Sequence, residues 1–113
     1  MTHENQKIAR IANALLEYFL SNDAKGLTLS ISEDTKSAYI SLEISDITLS
    51  SHESEELIEH LYMERQEEME EYYWHLLGND SETEEISLIG MMVDEATVQY
   101  NYPVMKIDLV RHF

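Results

Sequence analysis

Cysteine is absent, so the chain can have no disulfide framework, thiol nucleophile or thiolate metal site. Only three glycines occur, Gly26, Gly78 and Gly90, too far apart to build a loop whose backbone amides cradle phosphate. No apolar run approaches the roughly 20 residues that a membrane-crossing helix needs. Positive charge is scarce: 7 Lys and Arg stand against 23 Asp and Glu, for a net charge of −16. Such a field repels nucleic acid and anionic membranes and attracts a basic protein.

What is present fits one soluble domain over residues 1–113, with 43% hydrophobic residues arguing against wholesale disorder. The opening MTHENQKIARIANALLEYF has no basic flank leading into a smooth apolar core, so it does not read as a secretory signal, and a cytoplasmic location is the expectation. The excess acid has other readings. It favours solubility, it suits a salt-adapted host, and a regular acidic array can mimic the phosphates of DNA. Here the charge is concentrated on one helical segment rather than spread regularly.

The spacing of Ile8, Ile11, Ala12, Leu15, Tyr18 and Phe19 predicts an amphipathic helix from about Asn5 to Ser21, stopped by Asn22, Asp23 and Gly26. Leu27, Leu29 and Ile31 then alternate with Thr28, Ser30 and Ser32. After the polar SEDTKS, Ala38, Ile40, Leu42 and Ile44 alternate in the same way, and the two runs read as an antiparallel hairpin with one wet face. Ser50 and Glu53 form a capping box at the start of a long helix to about Leu77. Its expected inner stripe is Leu57, Leu61, Met69, Tyr72 and Leu76. Glu64 to Glu68 lacks a large apolar residue and invites a break. Gly78 and Asn79 close this helix. Ser81 and Glu84 cap a third, which Ile86, Ile89 and Val93 carry to about Ala96. Val98, Tyr100 and Tyr102, then Met105, Ile107 and Leu109, predict a second hairpin turning at Asn101 to Pro103.

The order is α-β-β-α-α-β-β. Because every strand alternates, helices should cover one face only of a largely antiparallel or mixed four-stranded sheet. The fold class is α+β, a two-layer α/β sandwich.

In order and in local strings the chain resembles the histidine-kinase-type ATPases, which include sensor-kinase catalytic domains, anti-sigma-factor kinases, gyrase B and the Hsp90 N-terminal domain. Their helix bearing E-L-L-x-N-A is matched by Asn13-Ala14-Leu15-Leu16-Glu17, with the asparagine and the acid in swapped order. Their D-x-G-x-G is matched by Asp46-Ile47-Thr48-Leu49-Ser50, without either glycine. Their second glycine box is matched by Ile86 to Val93, where Gly90 stands at a different offset. In that family the asparagine holds magnesium, the aspartate reads the adenine amino group and the glycines admit the phosphates. The resemblance therefore implies a vestigial nucleotide site at Asn13, Glu17 and Asp46, with the glycine boxes lost and no bound cofactor.

Other chemistry is thinner. His60 lies one turn from Glu56 and Glu64, and His75 from Glu71, but there is no H-E-x-x-H, and such pairs arise by chance among 23 carboxylates. Glu67, Glu68, Glu70 and Glu71 read as a solubilising cluster. No serine sits in a G-x-S-x-G setting. A helix cannot bury Tyr72, Tyr73 and Trp74 all on one narrow stripe, so at least one ring should project, and such rings anchor protein interfaces. In the resembled family the region of Met91 and Met92 borders the nucleotide pocket, so these side chains fit either an unused pocket that has been filled or ordinary core.

The leading expectation is a non-catalytic regulatory or adaptor protein that binds a basic protein partner through Tyr72, Tyr73 and Trp74. The alternatives are an ATP-binding serine kinase like the anti-sigma factors, an acidic DNA mimic, and a self-associating protein, dimeric for example, that pairs through an edge strand at Met105 to Val110.

Overall fold

The computed structural model describes residues 3–76 and 84–113. Helix α1 (Glu4–Ser21) leads into strands β1 (Gly26–Glu33) and β2 (Ser37–Ser45). Helices α2 (Ser51–Leu61), α3 (Glu67–Tyr73) and α4 (Glu84–Met92) precede strands β3 (Glu95–Asn101) and β4 (Val104–His112), and a 3₁₀ turn (Trp74–Leu76) follows α3. The four strands form one sheet in the order β1-β2-β4-β3, antiparallel throughout. The α+β sandwich and the two hairpins stand as the alternation predicts.

The alternation decides which face is dry. Ala38, Ile40, Leu42 and Ile44 of β2 and Met105, Ile107 and Leu109 of β4 are buried beneath the helices. They meet Ile8, Ile11, Leu15 and Phe19 of α1, Leu57 and Leu61 of α2, and Ile86, Ile89 and Met92 of α4 in one continuous core. The opposite face is hydroxyl-rich: Ser30, Ser41, Asp108 and Thr97 lie side by side across the four strands. There the Ser41 hydroxyl donates to the Asp108 carboxylate.

Helix α1 ends without using Gly26. Asp23 takes the left-handed conformation at φ 64°, and the amides of Asp23 and Ala24 donate to Leu20 O and Phe19 O in a Schellman closure. Gly26 instead opens β1. The Ser50 box is formed on both sides: Glu53 N donates to Ser50 Oγ at 3.1 Å and Ser50 N to Glu53 Oε1 at 2.9 Å. Tyr100 secures the loop before α2, since its hydroxyl accepts from Leu49 N and donates to Ile47 O, each at 3.1 Å.

Three expectations change. The long second helix is two helices, broken where apolar residues run out, and Gln66 N inside the break donates to Met91 O at 2.8 Å. After the break the register differs: Met69 and Tyr72 face solvent, and the inward residue of α3 is Glu70. The helix bearing Ile86 stops at Met92, because Val93 and Asp94 turn the chain into β3. Finally, β4 with Met105 to Val110 is an interior strand, and the sheet edges are β1 and β3. Gly78, Asn79 and the Ser81 cap lie outside the described residues.

Gly90 has a packing role. A Cβ there would run into the carbonyl oxygen of His60 and stand 3.4 Å from Leu61 Cα, so its hydrogen lets α4 lie directly on α2.

Candidate functional site

Among the described residues, a dense polar network joins α1, α3 and β4. Arg111 continues the inward phase of Met105, Ile107 and Leu109 and is 1% exposed. Its Nη1 and Nη2 donate to the Glu70 carboxylate at 2.8 and 2.7 Å. Nε and Nη2 donate to Glu4 at 2.9 and 2.8 Å, and Nη1 also reaches Met92 O at 2.7 Å. Every N–H of the guanidinium therefore has an acceptor, the condition under which a buried cation is tolerated.

Glu70 is held equally closely. Lys7 Nζ donates to it at 2.8 Å and to Glu71 at 2.6 Å, and Arg65 Nε reaches it at 3.2 Å. Arg65 Nη1 goes on to Asp94 and to His112 O, both at 2.7 Å. Burial by itself would raise the Glu70 carboxyl. The hydrogen bonds from Arg111 and Lys7 outweigh it and hold the pKa at about 2. Burial likewise opposes the charge on Arg111 and on Lys7, and in both cases the carboxylates prevail and raise the pKa. The Glu4 carboxyl is lowered, chiefly by its hydrogen bond from Arg111.

This network fixes an amphipathic ledge above it. On α3, Met69 is 38%, Tyr72 74% and Tyr73 37% exposed, and the two tyrosine rings stand 5.5 Å apart. Glu67, Glu68 and Glu71 are exposed among them. The ledge borders an open groove lined by Arg65, Gln66, Glu67, Glu68, Met69 and Asp94. Tyr62 and Met63 continue the exposed apolar surface through the α2–α3 connection.

The expected binding residues are thus divided. Tyr72 and Tyr73 project outward. Trp74 is half-buried, stacked on His3 at 5.1 Å between centroids, with the Arg10 guanidinium 5.9 Å from its ring centre. It pins the 3₁₀ turn to α1. Asn13 and Glu17 lie on the outer side of α1, where Asn13 Nδ2 donates to Glu17 Oε2 at 3.3 Å. Asp46 is exposed elsewhere, in the bend just past β2, at φ 55°. Between the helices and the sheet, the space is occupied by Ile11, Leu15, Phe19, Ile44 and their neighbours. Among the described residues no cluster of three or more His, Asp or Glu is arranged to hold a metal ion, and His60 and His75 belong to none.

The network itself is the part that reading the chain as text misses. Arg111 carries a signal, since it shares the parity of the buried β4 residues. Lys7 precedes Ile8 and lies one turn before Ile11. Glu70 carries no signal among its acidic neighbours.

Comparisons with protein-family models, curated proteins and solved structures found no match to this chain.

Proposed function

We propose that this is a non-catalytic intracellular regulatory or adaptor protein that binds another protein through the α3 ledge, on a scaffold resembling the histidine-kinase-type ATPases. The observation that carries this reading is the exposure of Met69, Tyr72 and Tyr73 among carboxylates on a helix anchored from below by Glu70. Large exposed rings on a rigid element lose little conformational freedom on binding, and the surrounding acid selects a basic, partly apolar partner surface. The long-range field of a chain at −16 accelerates the encounter more than it tightens the complex.

A non-catalytic role is supported by the placement of Asn13 and Glu17 on the outer side of α1 and by the apolar filling between the layers. Tyr72 is the residue to test, because Trp74 is also a packing residue. The protein, immobilised and exposed to an extract of its host, should retain a partner that salt releases and that Tyr72→Ala loses, with the melting curve of the variant unchanged. Retention indifferent to Tyr72→Ala, or calorimetric binding of Mg-ATP tighter than millimolar, would overturn the reading.

A further inference from the structure

The two edges of the sheet are not alike. On β3, the outward amide of Val98 is taken by the Tyr62 hydroxyl at 3.2 Å, so a side chain caps the middle of that edge. On β1 we find no such device among the described residues. The strand runs for eight residues with no proline and no charge before Glu33, and Leu27, Leu29 and Ile31 are only partly covered, Ile31 being 44% exposed. Long, uncharged, open edges pair with other strands unless something prevents it.

The parity of the ladder says which groups turn away from β2. Asp34 N donates to Ser37 O at 2.9 Å, and the same register pairs Ser32 with Tyr39 and Ser30 with Ser41. Antiparallel ladders alternate bonded and unbonded pairs, so the even positions of β1 turn their N–H and C=O toward β2. Leu27, Leu29, Ile31 and Glu33 turn theirs outward.

We propose that β1 pairs antiparallel with β1 of a second copy of this chain, about a two-fold axis through Leu29, to give one continuous eight-stranded sheet. This register sets Leu29 opposite its own copy and Leu27 opposite Ile31, all of them positions whose backbone groups turn away from β2. Each of the three central pairs can then close two main-chain hydrogen bonds. The side chains of these residues lie on the helix side and extend the two cores toward each other. The register also places Lys25 opposite Glu33 at both ends, the only charged residues from Ala24 to Glu33. The palindromic charge and the apolar centre select a second copy rather than an unrelated strand. A sheet edge joined this way is isologous and closes on itself. The ledge on α3 borders Asp94, next to β3 at the far edge, and stays open in the dimer.

Light scattering coupled to size exclusion, across a range of concentrations, tests the pairing on the full chain. The wild type should be a dimer that dissociates on dilution. Lys25→Glu and Glu33→Lys, both at exposed positions, should each weaken it by about tenfold, because two symmetry-related pairs turn from attraction to repulsion. The double variant should restore it. Leu29→Pro removes an outward amide without removing a β1–β2 hydrogen bond, and should be monomeric. A wild type that stays monomeric at every concentration overturns the proposal, as does a dimer indifferent to both charge reversals. Should Leu29→Pro fail to fold, the charge variants decide.

Discussion

Arg111 and Glu70, 41 residues apart, face each other through two parallel hydrogen bonds of 2.8 and 2.7 Å, both buried. The pair fastens the last strand to the short helix that carries the exposed tyrosines, and so ties stability to the presentation of the proposed binding surface.

Removing one side of that pair strands the other charge in the interior. Arg111→Ala should therefore cost about 3–5 kcal/mol, read as a lower midpoint in chemical denaturation. Such a loss is a large fraction of the stability of a single domain. A variant that melts with the wild type would show that the pair contributes nothing net.

The same pair makes stability depend on acid. The Glu70 carboxyl is held at about 2 in the folded chain, against a usual 4.5. A depressed folded pKa contributes stability that is fully present above the unfolded value and lost as pH falls toward the folded one. The loss should run from about pH 4.5 down to about 2. Glu4, lowered as well, acts in the same direction. Protonating the surface acids relieves repulsion and opposes this trend, so the measurement is a difference: the gap between wild type and Glu70→Gln in urea midpoint should shrink steadily across that window. A gap that stays constant with pH would refute the assignment.

Gly90→Ala should destabilise by roughly 1–3 kcal/mol through overpacking, even though alanine favours a helix over glycine by about 1 kcal/mol. The obstruction is backbone, the His60 carbonyl, which cannot rotate aside. Gly26→Ala is the control. Its added carbon meets the Ser45 hydroxyl, a group that turns away about a single bond, so its thermal midpoint should lie near that of the wild type. Equal losses at the two positions would contradict this account of Gly90.

Most of the frame is legible in the residues alone. Ile8 to Phe19 mark α1 within one residue of its start, the alternation in β2 and β4 names the buried face, and Ser50 with Glu53 marks the start of α2. These are local signals, each set by a period of a few residues and by hydrogen bonds between near neighbours. The candidate surface is legible only in part. That a ring must project from Tyr72 to Trp74 follows from the width of a helix face. Which ring does so depends on the rotation of α3 after the break, and that rotation is set by Glu70 reaching Arg111 and Lys7 across the fold.

The chain's own residues decide its secondary structure, its single core and its acidic exterior, since hydrophobic periodicity and charge act over short stretches or through simple excess. Tertiary structure alone decides that Glu70 turns inward while Tyr72 turns out, that Gly90 serves a helix crossing, and that β1 rather than β4 is an open edge. Each of those depends on how segments far apart in sequence come together, where a paired charge is stable, a methyl group does not fit, or the last strand to pair takes an interior place in the sheet.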